Sequence, residues 1–163
     1  MTATAETKPR APRELTLVRA FDAPRELVFQ AFTDARHLAQ WWGPHGFTSP
    51  VCEFEARPGG AIRIHMRGPK GTPYDVIYRT TGVVSEIVAP QRLVFTLALL
   101  EDDGSIRLEN VNTVTFAEQA GKTTVTLHVR VITATAAAET NLAGMEQGWS
   151  QSLDRLARLV ATI

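Results

Sequence analysis

The stretch GMEQGWSQSLDRLARLV, residues 144–160, is where the fold can first be read. Leu142, Met145, Trp149, Leu153, Leu156 and Val160 recur every three or four residues, which aligns them on one helical face. Gln147, Gln151, Asp154, Arg155 and Arg158 fall mostly on the wetter side, and Asp154 and Arg158 stand at the spacing of an i,i+4 ion pair. The pattern predicts a long amphipathic helix over about 137–161, nearly seven turns. An apolar stripe of that length needs a large apolar surface to cover it.

The preceding segment supplies one. From about 51 to 132 the chain alternates apolar and polar residues between short polar turns. VCEFEA runs into RPGG; AIRIHMR sets Ile62, Ile64 and Met66 against Arg63, His65 and Arg67. After GPKG a longer strand is expected from Tyr74 to about Val88, with Gly82 as a bulge or bend. RLVFTLALL, IRLENVNTVTF and TTVTLHVRVI follow, the last with Val125, Leu127, Val129 and Val131 on one face. Short connections between successive strands mean hairpins, hence an antiparallel sheet.

At the other end, ELTLVRAF (14–21) alternates as a first strand. Asp22 and Pro24 are suited to opening a helix that buries Leu27, Val28, Ala31 and Phe32. Asp34 is placed to cap a second short helix, ARHLAQWW, which Gly43-Pro44 stops. Residues 1–12 lack a periodic apolar face and are expected to form a flexible tail, leaving 13–163 as a single domain.

That order implies an α+β helix-grip fold: a bent antiparallel sheet of six or seven strands wrapped around a long C-terminal helix, with two short helices after strand one. Helix and sheet close together near one end and leave space near the other, unless large side chains fill it.

Composition narrows the partners. Seventeen basic and seventeen acidic residues cancel, so no net positive field favours nucleic acid or an anionic membrane surface. The lone Cys52 cannot form an internal disulfide, MTATAETKPRAPRE lacks the apolar core of a secretory signal, and no apolar run approaches the roughly 20 residues of a membrane span. The expectation is a cytoplasmic protein with no stable membrane insertion.

APRELVFQAFTDARHLAQWWGPHGF, RPGGAIRIHMRGPKG, PQRLVFT and GMEQGWSQSLDRLARLV, in that order, resemble the homologues of the activator of the heat-shock-protein-90 ATPase. These AHSA-like proteins belong to the START-like (SRPBCC) helix-grip superfamily, with the birch-pollen allergens and polyketide cyclases. The likeness covers about residues 14–162 and implies fold and family more sharply than function. Superfamily members bind lipids, steroids or polyketides, act on bound ligands, or assist a partner protein. The eukaryotic-type activator carries a further N-terminal domain for which this chain has no room.

Candidate residues follow from the expected cavity. Trp41 and Trp42 sit about 100° apart on a helix end, so they face different ways; they, with Phe47, either seal the grip or gate it. Met145 and Trp149, four apart, are either core or the helix-side wall. Ile64, Met66 and Phe95 point from the sheet toward the same space, and Tyr78 offers a phenol. Asn112, like Asn110, shares a strand face with Val114 and Phe116, where an amide is either satisfied structurally or orients a ligand.

Chemistry beyond binding has little support. His37, His45, His65 and His128 form no HxxxH or HxH pair and join no Cys or carboxylate cluster, so no metal and no other cofactor is expected. No nucleophile elbow or Cys-His signal is present. Glu53, Glu55, His45 and Tyr78 are available for acid–base work, but nothing singles out a catalytic residue.

The sequence therefore points to a non-catalytic module that holds a small apolar or amphipathic molecule, such as a lipid or polyketide, between sheet and C-terminal helix. The alternatives are a co-chaperone-like protein-interaction module, with a protein partner or a homodimer, and a cyclase- or hydrolase-like enzyme or resistance protein acting on a bound ligand.

Overall fold

The computed structural model describes residues 12–163, so the expected tail lies, but for its last residue, outside the described residues. Strand β1 (Glu14–Phe21) leads into helices α1 (Arg25–Thr33) and α2 (Ala35–Trp41). Six strands follow: β2 (Thr48–Phe54), β3 (Ala61–Arg67), β4 (Ile77–Val88), β5 (Arg92–Leu100), β6 (Ile106–Gln119) and β7 (Lys122–Ala134). A short 3-10 turn, Ala136–Ala138, then leads to α3 (Glu139–Ala143) and α4 (Met145–Val160). The strands form one sheet in the order β1-β7-β6-β5-β4-β3-β2, every neighbouring pair antiparallel. This is the helix-grip architecture expected from the sequence.

Period-2 burial fixes which face of the sheet is covered. Ile62 and Ile64 of β3, Leu93, Phe95 and Leu97 of β5, Val114 and Phe116 of β6, and Val125, Leu127 and Val129 of β7 are all buried. They meet Val28, Phe29 and Phe32 of α1 and Leu153, Leu156 and Val160 of α4 in one core. Phe32 stands edge-on to both Trp41 and Phe116, at ring separations of 4.7 and 5.3 Å.

Several local expectations change. The helix foreseen over about 137–161 is interrupted at Gly144 (φ −96°, ψ 0°), since glycine has the poorest helix propensity short of proline. The apolar stripe survives the break but divides its partners. Leu142 joins Leu108 and Ala138 in a satellite cluster, whereas the C-terminal part of α4 enters the main core.

Asp22 does not cap α1; Pro24 occupies that position, and the Arg25 N–H is taken by Glu118 of β6 at 2.6 Å. Asp154 turns from Arg158 to Arg19 of β1, at 2.8 Å, with His45 at 3.5 Å. Gly82 is not a bulge: it keeps regular pairing with Ile62 and Leu97, and the register slips between Val84 and Glu86 instead. Glycine is required there because a Cβ would lie 2.0 Å from the Thr96 carbonyl oxygen. Strand β4 starts at Ile77 rather than Tyr74, because an Arg67–Asp75 ion pair at 2.8 Å and the Thr72 hydroxyl donating to the Pro69 carbonyl hold the preceding residues in a turn. Strand β2 begins earlier than its apolar run. It is an edge strand, where Pro50 is tolerated beside a register shift.

Arg155 proves to be a tether rather than a solvated residue. From α4 its guanidinium donates to the carbonyls of Gln40, Trp42, Gly43 and Pro44, at 2.9–3.2 Å. These include carbonyls that the end of α2 leaves without helical partners. Burial, with Arg158 nearby, draws its pKa below the ordinary guanidinium value, yet the group remains a cation. Arg155→Ala is expected to cost about 2–3 kcal/mol, with Arg155→Lys recovering part of it because a compact ammonium cannot span four acceptors. Chemical denaturation checks this; a loss below about 0.5 kcal/mol would show that the tether is dispensable.

Asp34 caps α2 as expected, accepting from the Arg36 N–H at 2.9 Å. The Arg36 side chain, and then that N–H, hold its carboxyl down to about 2. A depressed carboxyl stabilises the fold above its ordinary range and loses that contribution on protonation. Asp34→Ala is therefore expected to cost about 1 kcal/mol at neutral pH. The gap to wild type should close as pH falls from about 4 through 2, as urea titrations at several pH values would show.

Candidate ligand cavity

Between the satellite cluster and the main core, α4 stands away from the sheet and leaves a cavity of about 580 Å³. Helix α4 contributes Met145, Gly148, Trp149 and Ser152, and α3 contributes Thr140 and Asn141. The sheet contributes Met66, Tyr78, Thr80, Leu97, Leu99, Arg107, Leu108, Asn110 and Asn112. The loop after α2 closes one side with Trp42, Gly43, Pro44 and Phe47. Tyr74, 56% exposed, stands where the space reaches the surface.

The two adjacent tryptophans have separate positions. Trp41 is wholly buried in the core and donates its indole N–H to the Ala31 carbonyl at 2.8 Å. Trp42 faces the cavity and meets Trp149 edge-on, with ring centres 5.2 Å apart. Their adjacency thus joins a core anchor to a cavity wall. Of the other residues singled out from the sequence, Phe47, Met66, Tyr78, Asn112, Met145 and Trp149 line the space. Ile64 and Phe95, like Trp41, do not: they share the covered face but lie within the filled core.

The sequence reading passed over Leu97, Leu99, Arg107 and Asn141. Leu97 and Leu99 continue the Phe95 alternation, which identifies a face without saying which end is filled. Asn141 lies four residues before Met145 and eight before Trp149, a helical spacing that marks it as part of the same wall. Arg107 stands where β6 shifts register against Leu99 and Leu100 of β5, and such a bulge re-aims a side chain.

The polar groups gather on the sheet side and α3. Arg107 forms an ion pair with Glu101. Tyr78, with Leu99 and Arg107, also borders a smaller space beside Glu101, Asp102 and Asp103. Burial, then the neighbouring Tyr74, raise the Tyr78 phenol above its ordinary pKa, so it stays protonated near neutrality. Asn112, 1% exposed, donates to Asn110 Oδ1 at 2.7 Å and to the Phe95 carbonyl at 3.4 Å, while its own Oδ1 is buried without a partner. Cys52 lies off the cavity, its thiol pushed up to about 11 by burial and then by Glu53. Among the described residues, no three His, Cys, Asp or Glu side chains come together as a metal site.

A bent antiparallel sheet gripping a C-terminal helix, with an apolar cavity between them, defines a START-like helix-grip protein. The sequence matches the family described as Activator of Hsp90 ATPase homolog 1-like protein over residues 22–161, and the chain belongs to that family. A crystal structure from Chromobacterium violaceum is similar, at 30% identity and a TM-score of 0.76, covering 91% of this chain and 97% of the other. A Silicibacter pomeroyi protein bearing the same family name gives 26% identity and a TM-score of 0.74 over 91% and 97% of the two chains. A Mycobacterium smegmatis structure, at 24% identity and a TM-score of 0.77 over 93% and 92%, shares the fold. No curated protein matches the chain.

Gly43 controls the approach of the loop to the sheet. Its φ is +99°, and a Cβ there would lie 2.7 Å from the Met66 sulfur. Gly43→Ala is expected to cost about 1–2 kcal/mol and to displace Met66 and Trp42 together. Amide and indole NMR shifts would register this; an unchanged Trp42 indole signal would show that the loop absorbs the methyl without moving.

Proposed function

We propose that this chain is a non-catalytic binding module for a small apolar or amphipathic molecule held between the sheet and α4. The observation that carries the reading is the cavity of about 580 Å³, walled by Trp42, Phe47, Met66, Leu97, Met145 and Trp149 with a few convergent polar groups. Its size and lining suit small-molecule pockets, and thioethers beside aromatic rings adapt to varied apolar shapes. The titratable side chains in the lining are Tyr74, Tyr78 and Arg107, with no carboxylate, histidine or cysteine among them. The binding unit is read as one domain, 13–163, and the free Cys52 suits a reducing, cytoplasmic compartment.

Native mass spectrometry of protein gently purified from its host tests the reading. A reproducible adduct of roughly a few hundred daltons, lost on denaturation, is expected. Met145→Trp should fill the cavity and abolish the adduct, and Trp149→Ala should weaken retention, both with far UV circular dichroism unchanged. A clean apo mass, together with a stoichiometric protein partner in a pulldown, would overturn it in favour of the interaction role that the family name suggests.

A further inference from the structure

Building on that binding reading, we propose that Arg107 and Tyr78 make the cavity select an amphiphile with a carboxylate head, its apolar body lying against Trp42 and Trp149. Both residues border the main cavity and also the smaller space, of about 500 Å³, beside Glu101, so they stand where the two meet. On one side of that junction the walls are the two indoles, Leu97 and Met145; on the other is the polar turn at residues 101–103. A molecule with one apolar and one polar end matches that division. The two residues also offer donors that the protein leaves open. Of the five N–H donors of a guanidinium, only the Arg107 Nε–H has a partner among the described residues, the Glu101 carboxylate. The hydrogens on Nη1 and Nη2 are unmatched there, and so is the Tyr78 hydroxyl. These atoms are not sealed off: none is among the buried polar atoms that lack partners, and the Arg107 side chain is 31% exposed. Burial, then Tyr74, raise the pKa of the Tyr78 phenol, and the charge of Arg107 opposes them, which places both donors in one neighbourhood.

A carboxylate suits this set of donors. Its two oxygens carry about four lone-pair sites, enough for one edge of a guanidinium and a hydroxyl together, and its bonds to Arg107 are charge-assisted. Glu101 occupies the Nε of Arg107 and leaves the edge between Nη1 and Nη2 for a second, bidentate partner. A neutral alcohol leaves most of these donors unmatched. An ammonium meets only donors at the junction and finds the nearby acids already engaged. Glu101 is held by Arg107, Asp102 by Arg79 at 3.4 Å, and Asp103 by the Ser105 hydroxyl at 2.6 Å.

The test is a titration of the full chain near neutral pH with decanoate, 1-decanol and decylammonium, following the Trp42 and Trp149 indole signals by NMR. Partition into an apolar space alone ranks the alcohol above either ion, because charge is costly to desolvate, so a preference for decanoate cannot come from hydrophobic burial. Wild type is expected to bind decanoate about tenfold more tightly than decanol, with decylammonium weakest. Arg107→Gln should bring decanoate below decanol, whereas Glu101→Gln should raise the preference about threefold by removing the competing anion. The comparison within wild type stands even if a variant folds poorly. Decanol bound as tightly as decanoate, or tightest binding of decylammonium, would overturn the carboxylate selection while leaving the binding reading intact. Equal losses of decanoate and decanol in both variants would mark the Arg107–Glu101 pair as structural and overturn it likewise. If none of the probes moves either indole, the binding reading fails and the selection falls with it.

Discussion

Helix α4, of 16 residues, is about 24 Å long, whereas β6, of 14 residues, runs to about 48 Å. A helix half the length of the longest strand cannot cover a seven-stranded sheet by itself. The sheet must curl toward it, and shorter elements must cover the remainder. The extra residues at the register shifts, carried by β2, β4, β6 and β7, supply curvature, since each increases the twist of its strand. Helices α1 and α2 complete the core beside the C-terminal part of α4. At the N-terminal part the cover thins to α3 and the loop after α2, and there the cavity lies. The cavity follows from the mismatch of lengths, with local side chains setting its size.

Polar tethers hold that geometry. Arg155 joins α4 to the carbonyls at residues 40–44, and Asp154 next to it joins α4 to Arg19 on edge strand β1. Strands β1 and β2 are the opposite edges of the sheet, and α2, which Arg155 grips, packs beside β2. Two consecutive residues of one helix therefore brace both ends of the curl. The Asp154–Arg19 pair is partly exposed and contributes modestly. Arg155 makes four charge-assisted bonds to backbone carbonyls, so it carries the larger share. Trp42 hangs from the same segment, which couples the tether to the cavity wall.

The sequence revealed the sheet and its buried face because alternation with period two survives bulges and register shifts. The extent of α2 was readable too, from Asp34 at its start and Gly43-Pro44 just past its end. Less visible were features that depend on the third dimension. Gly144 interrupts a stripe whose period continues across it, so periodicity alone sees one helix. Asp154 and Arg155 look like surface residues of that helix until the distance to β1 and to the α2 loop is known. Within the site, alternation grouped Phe95 with Leu97 and Leu99 without saying that the first is packed and the other two border open space. Ile64 and Met66 divide in the same way along β3. What decides each case is position along the strand relative to where α4 lifts away, and no local pattern records that.

Asn112 lies between those two kinds of information. Its place on the face of Val114 and Phe116 was evident from spacing, and burial of an amide there is a cost that leucine would avoid. Two bonds satisfy its nitrogen, and none within the protein satisfies its oxygen. The main core nearby is aliphatic and aromatic, and the amide ties Asn110 of the same strand to the Phe95 carbonyl of β5. The fold therefore carries a local deficit of about 1–3 kcal/mol at this oxygen. Stability alone would favour filling this end of the grip with hydrocarbon.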